Sequence, residues 1–203
     1  MDVNDTSNYW HLGDIRLRVA ERSDAAAFTA HFNTSPVWIE RAFDAADFPR
    51  TLENVESWLS QYCSGAGEVS GDCRVFVIED SGDSKILGYI DVWEALTRNG
   101  VFKTGIKMLD GKAGKGYATR AFARVLEYYF NELRYQKCDV YIYEFNQASL
   151  RFHKKFGFVE EGRLRREYYT DGRFYDSVCL GLTAEEFRVA KSHAYGYNQG
   201  TTN

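Results

Sequence analysis

Hydrophobic and polar positions along this chain change period several times, and each change marks an element. Ile15-Arg16-Leu17-Arg18-Val19 alternates apolar and charged residues, the pattern of a half-buried strand. Ser23-Asp24 offers a helix N-cap ahead of residues 25–32, and Ser35-Pro36 stops that helix. A second helical region is expected at 38–43. Beyond Pro49, Thr51 is placed to cap a helix over 52–62, with Val55, Leu59 and Tyr62 on one face. Residues 64–72 are rich in Gly, Ser and acids and read as an exposed loop. Two strands, 74–79 and 86–93, follow as a hairpin about Ser81-Gly82-Asp83-Ser84. Asn99-Gly100 turns the chain into a strand over residues 101–108.

The longest helical period begins at Gly116. Ala118, Ala121, Phe122, Val125, Tyr129 and Leu133 recur at spacings of three and four, which predicts a core-facing stripe. Residues 139–145 read as a buried strand. Asn146 can cap a short helix ending at Phe156, and Gly157 stands where a left-handed residue is wanted. Strands at 158–170 and 173–182 are joined at Asp171-Gly172, a hairpin signal. Thr183 caps a last helix that carries Glu185 and Glu186 in its first turn. Strands come first as sequence neighbours and then alternate with helices, which predicts a single-domain α/β fold with a mixed sheet. The domain is expected over 13–190, after a loose lead-in of residues 1–12 and before a polar, disordered tail of 194–203.

Composition adds limits. The chain has 203 residues, and its 14 Tyr, 14 Phe and 4 Trp point to an aromatic-lined core and pocket. A formal net charge of -4 argues against nucleic acid as the main partner and mildly for a cationic one. No apolar run approaches the roughly 20 residues of a membrane helix, so no membrane partner is expected. The first residues, Met1-Asp2-Val3-Asn4-Asp5-Thr6, lack the basic and apolar regions of a signal peptide. Cys63, Cys73, Cys138 and Cys179 show no C-x-x-C spacing, and the four histidines form no ligand pair. A reducing cytoplasm and no structural metal are the expectation.

Candidate chemistry centres on Leu109-Asp110-Gly111-Lys112-Ala113-Gly114-Lys115-Gly116-Tyr117-Ala118-Thr119, between a strand and the long helix. Glycines admit close backbone approach, and the first N–H groups of a helix lack intrahelical partners and favour an anion. A strand-to-helix turn alone would look much the same. The Walker pattern fails because Gly116 follows Gly114-Lys115 where Ser or Thr is required. A dinucleotide fingerprint would need Gly at Thr119 and an opening position in the chain, so it is weak.

The segment Ala113 to Thr119 resembles the pyrophosphate loop of the GNAT acetyltransferase superfamily. The segment Asn146-Gln147-Ala148-Ser149-Leu150-Arg151-Phe152-His153-Lys154-Lys155-Phe156-Gly157-Phe158 is similar to the family's second signature. A third piece, from Glu161-Gly162 through Tyr168 to Asp171-Gly172-Arg173-Phe174-Tyr175-Asp176 and Gly181-Leu182, is similar to one branch of it. That branch holds the ribosomal-protein N-terminal acetyltransferases and the spermidine acetyltransferases. The resemblance implies the family fold, in which splayed central strands hold acyl-CoA, and acetyl-CoA as donor. Ala113, Gly114, Lys115, Gly116, Tyr117, Ala118, Thr119 and Asn146 are the implied cofactor-binding positions. Ile106 and Met108 are the implied pantetheine contacts. Backbone N–H groups near Lys107 and Met108 would stabilise the charged carbonyl oxygen. Two departures stand out. Ala113 replaces the family's Gln or Arg, with Lys112 or Lys115 available to compensate, and His153 replaces the Tyr that many relatives carry.

The implied reaction is attack of a neutral amine on a thioester, in a ternary complex. A thiol of pKa about 8.5 leaves with little help, and His153 or Ser149, one turn apart on a helix face, are the candidate proton donors. Glu94, Glu144 and Asp91 are candidate bases, since Tyr141 stands where some relatives carry Glu. Glu40, Asp44 and Asp47 near aromatic residues could rim the acceptor site, although a solvated helix face explains them as well. The run Arg163 to Tyr169 invites a nucleic-acid reading, but an exposed strand explains it better. The expected acceptor is an amine-bearing small molecule or a protein N-terminus, and pairing into a homodimer is left open. The alternative function is an acyl-CoA-binding module of the same fold without effective turnover.

Overall fold

A computed structural model of the protein describes residues 8–34, 49–63, 74–96, 98–109 and 115–194. The expected helix at 38–43, the loop 64–72 and the tail beyond 194 lie outside them. The strands are β1 (His11–Leu12), β2 (Ile15–Val19), β3 (Arg74–Asp80), β4 (Ile86–Leu96), β5 (Val101–Met108), β6 (Lys137–Tyr143), β7 (Val159–Thr170) and β8 (Arg173–Thr183). The helices are α1 (Ala25–Thr34), α2 (Leu52–Cys63), α3 (Tyr117–Glu127), α4 (Gln147–Lys155) and α5 (Ala184–Ala194). One sheet runs in the order β1-β2-β3-β4-β5-β6-β8-β7. β5 and β6 are parallel, and the other neighbours are antiparallel.

Helices cover both faces of this sheet, so neither side of β3 faces solvent along Val75–Glu79. Its Phe76 and Ile78 join the larger core with Phe102, Phe122, Val125 and Tyr129. Its Val75 and Val77 join a second cluster with Phe28, Val55 and Leu59 from α1 and α2. Each large apolar side chain so buried contributes roughly 1.5–3 kcal/mol. Glu79 of β3 is buried between Arg16 and Arg18 of β2, and Arg18 also pairs with Asp24 at 2.8 Å.

Most predicted caps form. The Thr51 hydroxyl accepts from Asn54 N–H at 3.1 Å, and the Thr183 hydroxyl accepts from Glu186 N–H at 3.2 Å. Asp171 and Gly172 turn the β7–β8 hairpin at φ of 53° and 78°, the left-handed pair a tight hairpin requires.

Three expectations change. The first helix opens one turn early as a 3₁₀ segment, Arg22–Asp24, because the Asp24 carboxylate accepts from Glu21 N–H at 2.8 Å. The lead-in is not loose up to its end. His11–Leu12 pairs with β2, and Trp10 stacks on Phe76 at 5.5 Å. The stripe of α3 slips after Glu127, where Tyr128–Glu132 forms a π-helical turn closed by Leu133 N–H on the Tyr128 carbonyl at 3.0 Å. An i→i+5 turn rotates later side chains less per residue. Phe130 therefore enters the core at 3 % exposure, while the predicted core residue Leu133 is 38 % exposed.

Candidate active site

The sheet opens in its middle. β5 and β6 share three ladder pairs, Val101↔Lys137, Phe102↔Cys138 and Lys103↔Asp139, and none beyond. Past that point β5 continues paired to β4 as far as Met108, and β6 continues paired to β8 as far as Tyr143. Each strand is held to its outer neighbour, so the sheet twist separates the two halves into a wedge. A cavity of about 650 Å³ fills the wedge. β4 contributes Tyr89, Asp91 and Trp93, β5 contributes 103–107, and β6 contributes 140–143. Asn146, Ser149 and His153 close one side, and Leu164, Glu167 and Tyr168 of β7 close another.

Close backbone approach shapes the β4–β5 wall. A Cβ on Gly88 would stand 2.5 Å from the Lys107 carbonyl oxygen, so only glycine fits opposite Met108 there. Gly105 pairs with Asp91, and a Cβ on it would stand 2.8 Å from the Asp91 carboxylate. The missing side chain gives that carboxylate its place over β5. Lys107 is buried with its ammonium 5.5 Å from the Phe32 ring, and the Lys103 ammonium lies 4.9 Å from the Tyr141 ring.

α4 delivers the polar group at the cavity edge. The Asn146 side chain caps it by accepting from Ser149 N–H at 3.0 Å, and Gly157 ends it at φ 95°. One turn apart, Ser149 and His153 meet. His153 Nδ1 lies 2.9 Å from the Ser149 carbonyl oxygen and 3.3 Å from the Ser149 hydroxyl. A carbonyl only accepts, so Nδ1 carries the proton and Nε2 presents a lone pair. The ring packs edge-on against Phe122, Phe152 and Phe158. This burial pushes the imidazole down to about 4, against the carbonyl hydrogen bond that favours protonation. Burial thus favours the neutral imidazole over an imidazolium at position 153.

Among the predicted binding positions, Ile106, Lys107, Asn146 and the donor candidates Ser149 and His153 line one cavity. Met108 ends β5 and packs at the edge of the main core. Ala113 and Gly114 lie outside the described residues. Lys115 and Gly116 lead into α3, whose N-cap is Gly116 at φ 76°. No side chain caps that terminus, and no acidic residue occupies its first turn, which leaves the N–H groups near Tyr117, Ala118 and Thr119 suited to an anion. Of the candidate bases, Asp91 faces the cavity, whereas Glu144 accepts from Asp176 N–H at 3.3 Å outside it. Glu94 lies in β4, and its side chain is outside the described set.

The sequence reading missed the wall built by Leu164, Glu167 and Tyr168. Neighbours on a regular strand point to opposite faces, so Glu167 and Tyr168 were not expected together. The available signal was Asp176 in the third family segment, which had no assigned work.

Among the described residues no helix is long and apolar enough to cross a membrane. The model of the acetyltransferase (GNAT) domain matches residues 14–159. The SPbeta prophage-derived uncharacterized N-acetyltransferase YokL of Bacillus subtilis is 33 % identical over 181 residues, covering 89 % of this chain and 96 % of that protein. The spermidine N(1)-acetyltransferase of Vibrio cholerae is 26 % identical over 168 residues, covering 80 % and 88 %. The crystal structure of spermidine N-acetyltransferase from Vibrio cholerae in complex with CoA and spermine shares the fold, with a TM-score of 0.74. It is 23 % identical, with 86 % of this chain and 98 % of that one covered. Wedge, bare helix terminus and family match agree: the chain belongs to the GNAT family of acetyl-CoA-dependent N-acetyltransferases.

Proposed function

We propose that the protein acetylates a cationic amine in the cavity between β5 and β6, and that Asp91, Ser149 and the β5 backbone serve the reaction. The observation that carries this reading is the loss of β5–β6 pairing after Lys103, beside the first turn of α4. Acetyl-CoA supplies a thioester whose carbonyl carbon accepts the amine. Its pyrophosphate is suited to the uncapped start of α3 and to the sequence segment 113–119 that leads into it, and its pantetheine to Ile106, Lys107 and Met108, with Asn146 holding the start of α4. Backbone N–H groups near Lys107 and Met108 stabilise the oxygen that gains charge. The new C–N bond displaces the thiolate, and the Ser149 hydroxyl donates a hydrogen bond to the departing sulfur. His153 Nδ1–H donates to the Ser149 carbonyl oxygen and stands beside that hydroxyl, which it helps to orient. Asp91 takes the amine proton, directly or through water, and Glu94 is the second candidate on the same strand.

The acceptor is a polyamine-like small molecule or a protein N-terminus. Asp91 and Glu167 lie among the rings of Tyr89, Trp93, Tyr143 and Tyr168, a setting in which carboxylates and aromatic faces attract an ammonium. Lys103 and Lys107 offset those two charges, so position rather than net charge supports the preference. A second copy of the chain is suited to the outer edge of β7, where Val159 and Tyr169 are exposed; solution mass by light scattering tests it. We place the protein in the cytoplasm.

Thiol release from acetyl-CoA, measured with a panel of polyamines, monoamines and N-terminal peptides, tests the reading. Release with a cationic amine is expected. Tight acetyl-CoA binding with no release across the panel would make this chain a binding module instead.

A further inference from the structure

β7 leaves its register where it borders the cavity. Leu164 pairs with Ser177 and Tyr168 with Tyr175, so Arg165, Arg166 and Glu167 stand opposite the single residue Asp176 of β8. Arg166 has φ 55°, a left-handed backbone that is strained for a non-glycine residue. Its N–H donates to the Asp176 carboxylate at 2.9 Å. Asp176 is tied from behind as well, because its own N–H donates to the Glu144 carboxylate and its carbonyl accepts from Glu144 N–H at 3.1 Å. The Arg166 guanidinium lies 4.8 Å from the Phe174 ring.

The bulge changes what the cavity sees. Glu167 and Tyr168 are sequence neighbours, yet both line it, which a regular strand forbids. Tyr168 is fixed there by the Tyr143 ring, with centroids 4.1 Å apart. Glu167 is exposed, directly follows the left-handed Arg166 and also lines the cavity. Bulges commonly re-aim one side chain at a site in this way.

We infer that Asp176 is a positioning residue: it latches the left-handed backbone of Arg166 and so turns the Glu167 carboxylate toward a cationic part of the acceptor. This inference rests on the acceptor reading given under Proposed function. Ser149 and the acetyl-CoA contacts lie on other elements, so the latch governs the acceptor and not the donor.

The test uses the full chain with D176A, D176N, E167Q and D176A/R166G, and two probes, spermidine and n-propylamine. Hydrogen exchange over residues 160–170 reads the latch without any substrate. D176A should speed exchange at Arg166 at least tenfold and raise the spermidine KM at least fivefold. Its n-propylamine KM and its acetyl-CoA affinity should stay within twofold of the parent. D176N keeps an oxygen acceptor and should restore both readouts, which separates the latch from simple loss of charge. D176A/R166G should recover the KM, because glycine adopts positive φ without the latch. E167Q should raise the spermidine KM while exchange stays normal. Unchanged exchange in D176A, or D176N behaving like D176A, overturns the latch. An unchanged spermidine KM in E167Q overturns the role of Glu167. A parent protein that turns over neither amine overturns the acceptor reading itself, and exchange still decides the latch.

Discussion

His153 Nδ1 lies 2.9 Å from the carbonyl oxygen of Ser149 and 3.3 Å from its hydroxyl, inside one turn of α4. In the proposed reaction the two residues have different work. A buried neutral imidazole that donates to a carbonyl presents only a lone pair at Nε2, whereas the serine hydroxyl beside it can donate a hydrogen bond to the departing sulfur. Ser149→Ala should lower kcat about tenfold, below the roughly 10²–10⁴-fold typical of general acids because a thiolate leaves readily. His153→Phe should lower it by about threefold, the worth of one neutral hydrogen bond. Steady-state kinetics of both variants check this, and a larger loss for His153→Phe would return the donor role to the histidine.

The same burial makes stability depend on pH. The folded His153 sits at about 4 against an ordinary 6.5, so the unfolded chain binds the extra proton between those values. Its stabilising effect is complete above 6.5, falls as pH drops toward 4, and amounts to roughly 3 kcal/mol when fully lost. Urea unfolding at pH 7 and pH 4.5 should show a smaller acid loss in His153→Phe than in the parent protein.

Gly116 caps α3 at φ 76°, and a Cβ there would meet nothing within 4 Å. The strain of a side chain is therefore a backbone cost of about 1–3 kcal/mol, while its bulk would project into the space where the pyrophosphate is proposed. Gly116→Val should weaken acetyl-CoA binding at least tenfold and leave the fold in place at slightly lower Tm. Calorimetric titration and a melting curve distinguish the two effects. Normal acetyl-CoA binding would reduce the loop to a turn.

Gly105 makes room for Asp91, whose carboxylate would lie 2.8 Å from an added Cβ. Only the end of a flexible side chain has to move, so Gly105→Ala should cost under about 1 kcal/mol of stability. Displacing the proposed base should still lower kcat/KM for the amine about tenfold. Equal activity of Gly105→Ala and the parent would remove Asp91 from the reaction.

Local signals carried much of the fold. Val101–Met108 is a strand with the expected bounds, the caps at Thr51, Asn146 and Thr183 form, and Asp171-Gly172 turns its hairpin. Each depends on residues within a few positions of one another. The α3 stripe failed where Leu133 was expected inside, because a π-helical turn changes the phase of the helix and the period of the sequence does not record it. The β7 wall was missed for a related reason, since a bulge breaks the two-residue alternation from which facing is read.

Sequence by itself determined the α/β class, the mixed sheet, the short helix capped by Asn146 and ended at Gly157, and the family. The elements follow from side-chain periodicity and capping chemistry, which are local, and the family from the resemblance of three segments to known acetyltransferases. Tertiary structure alone decided that the splay implied by the resemblance begins after Lys103, that His153 is buried, and that Glu167 lines the cavity. Those outcomes depend on which distant strand holds each edge and which rings surround each polar atom. Desolvation and sheet register are properties of neighbours in space, and the order of residues along the chain does not contain them.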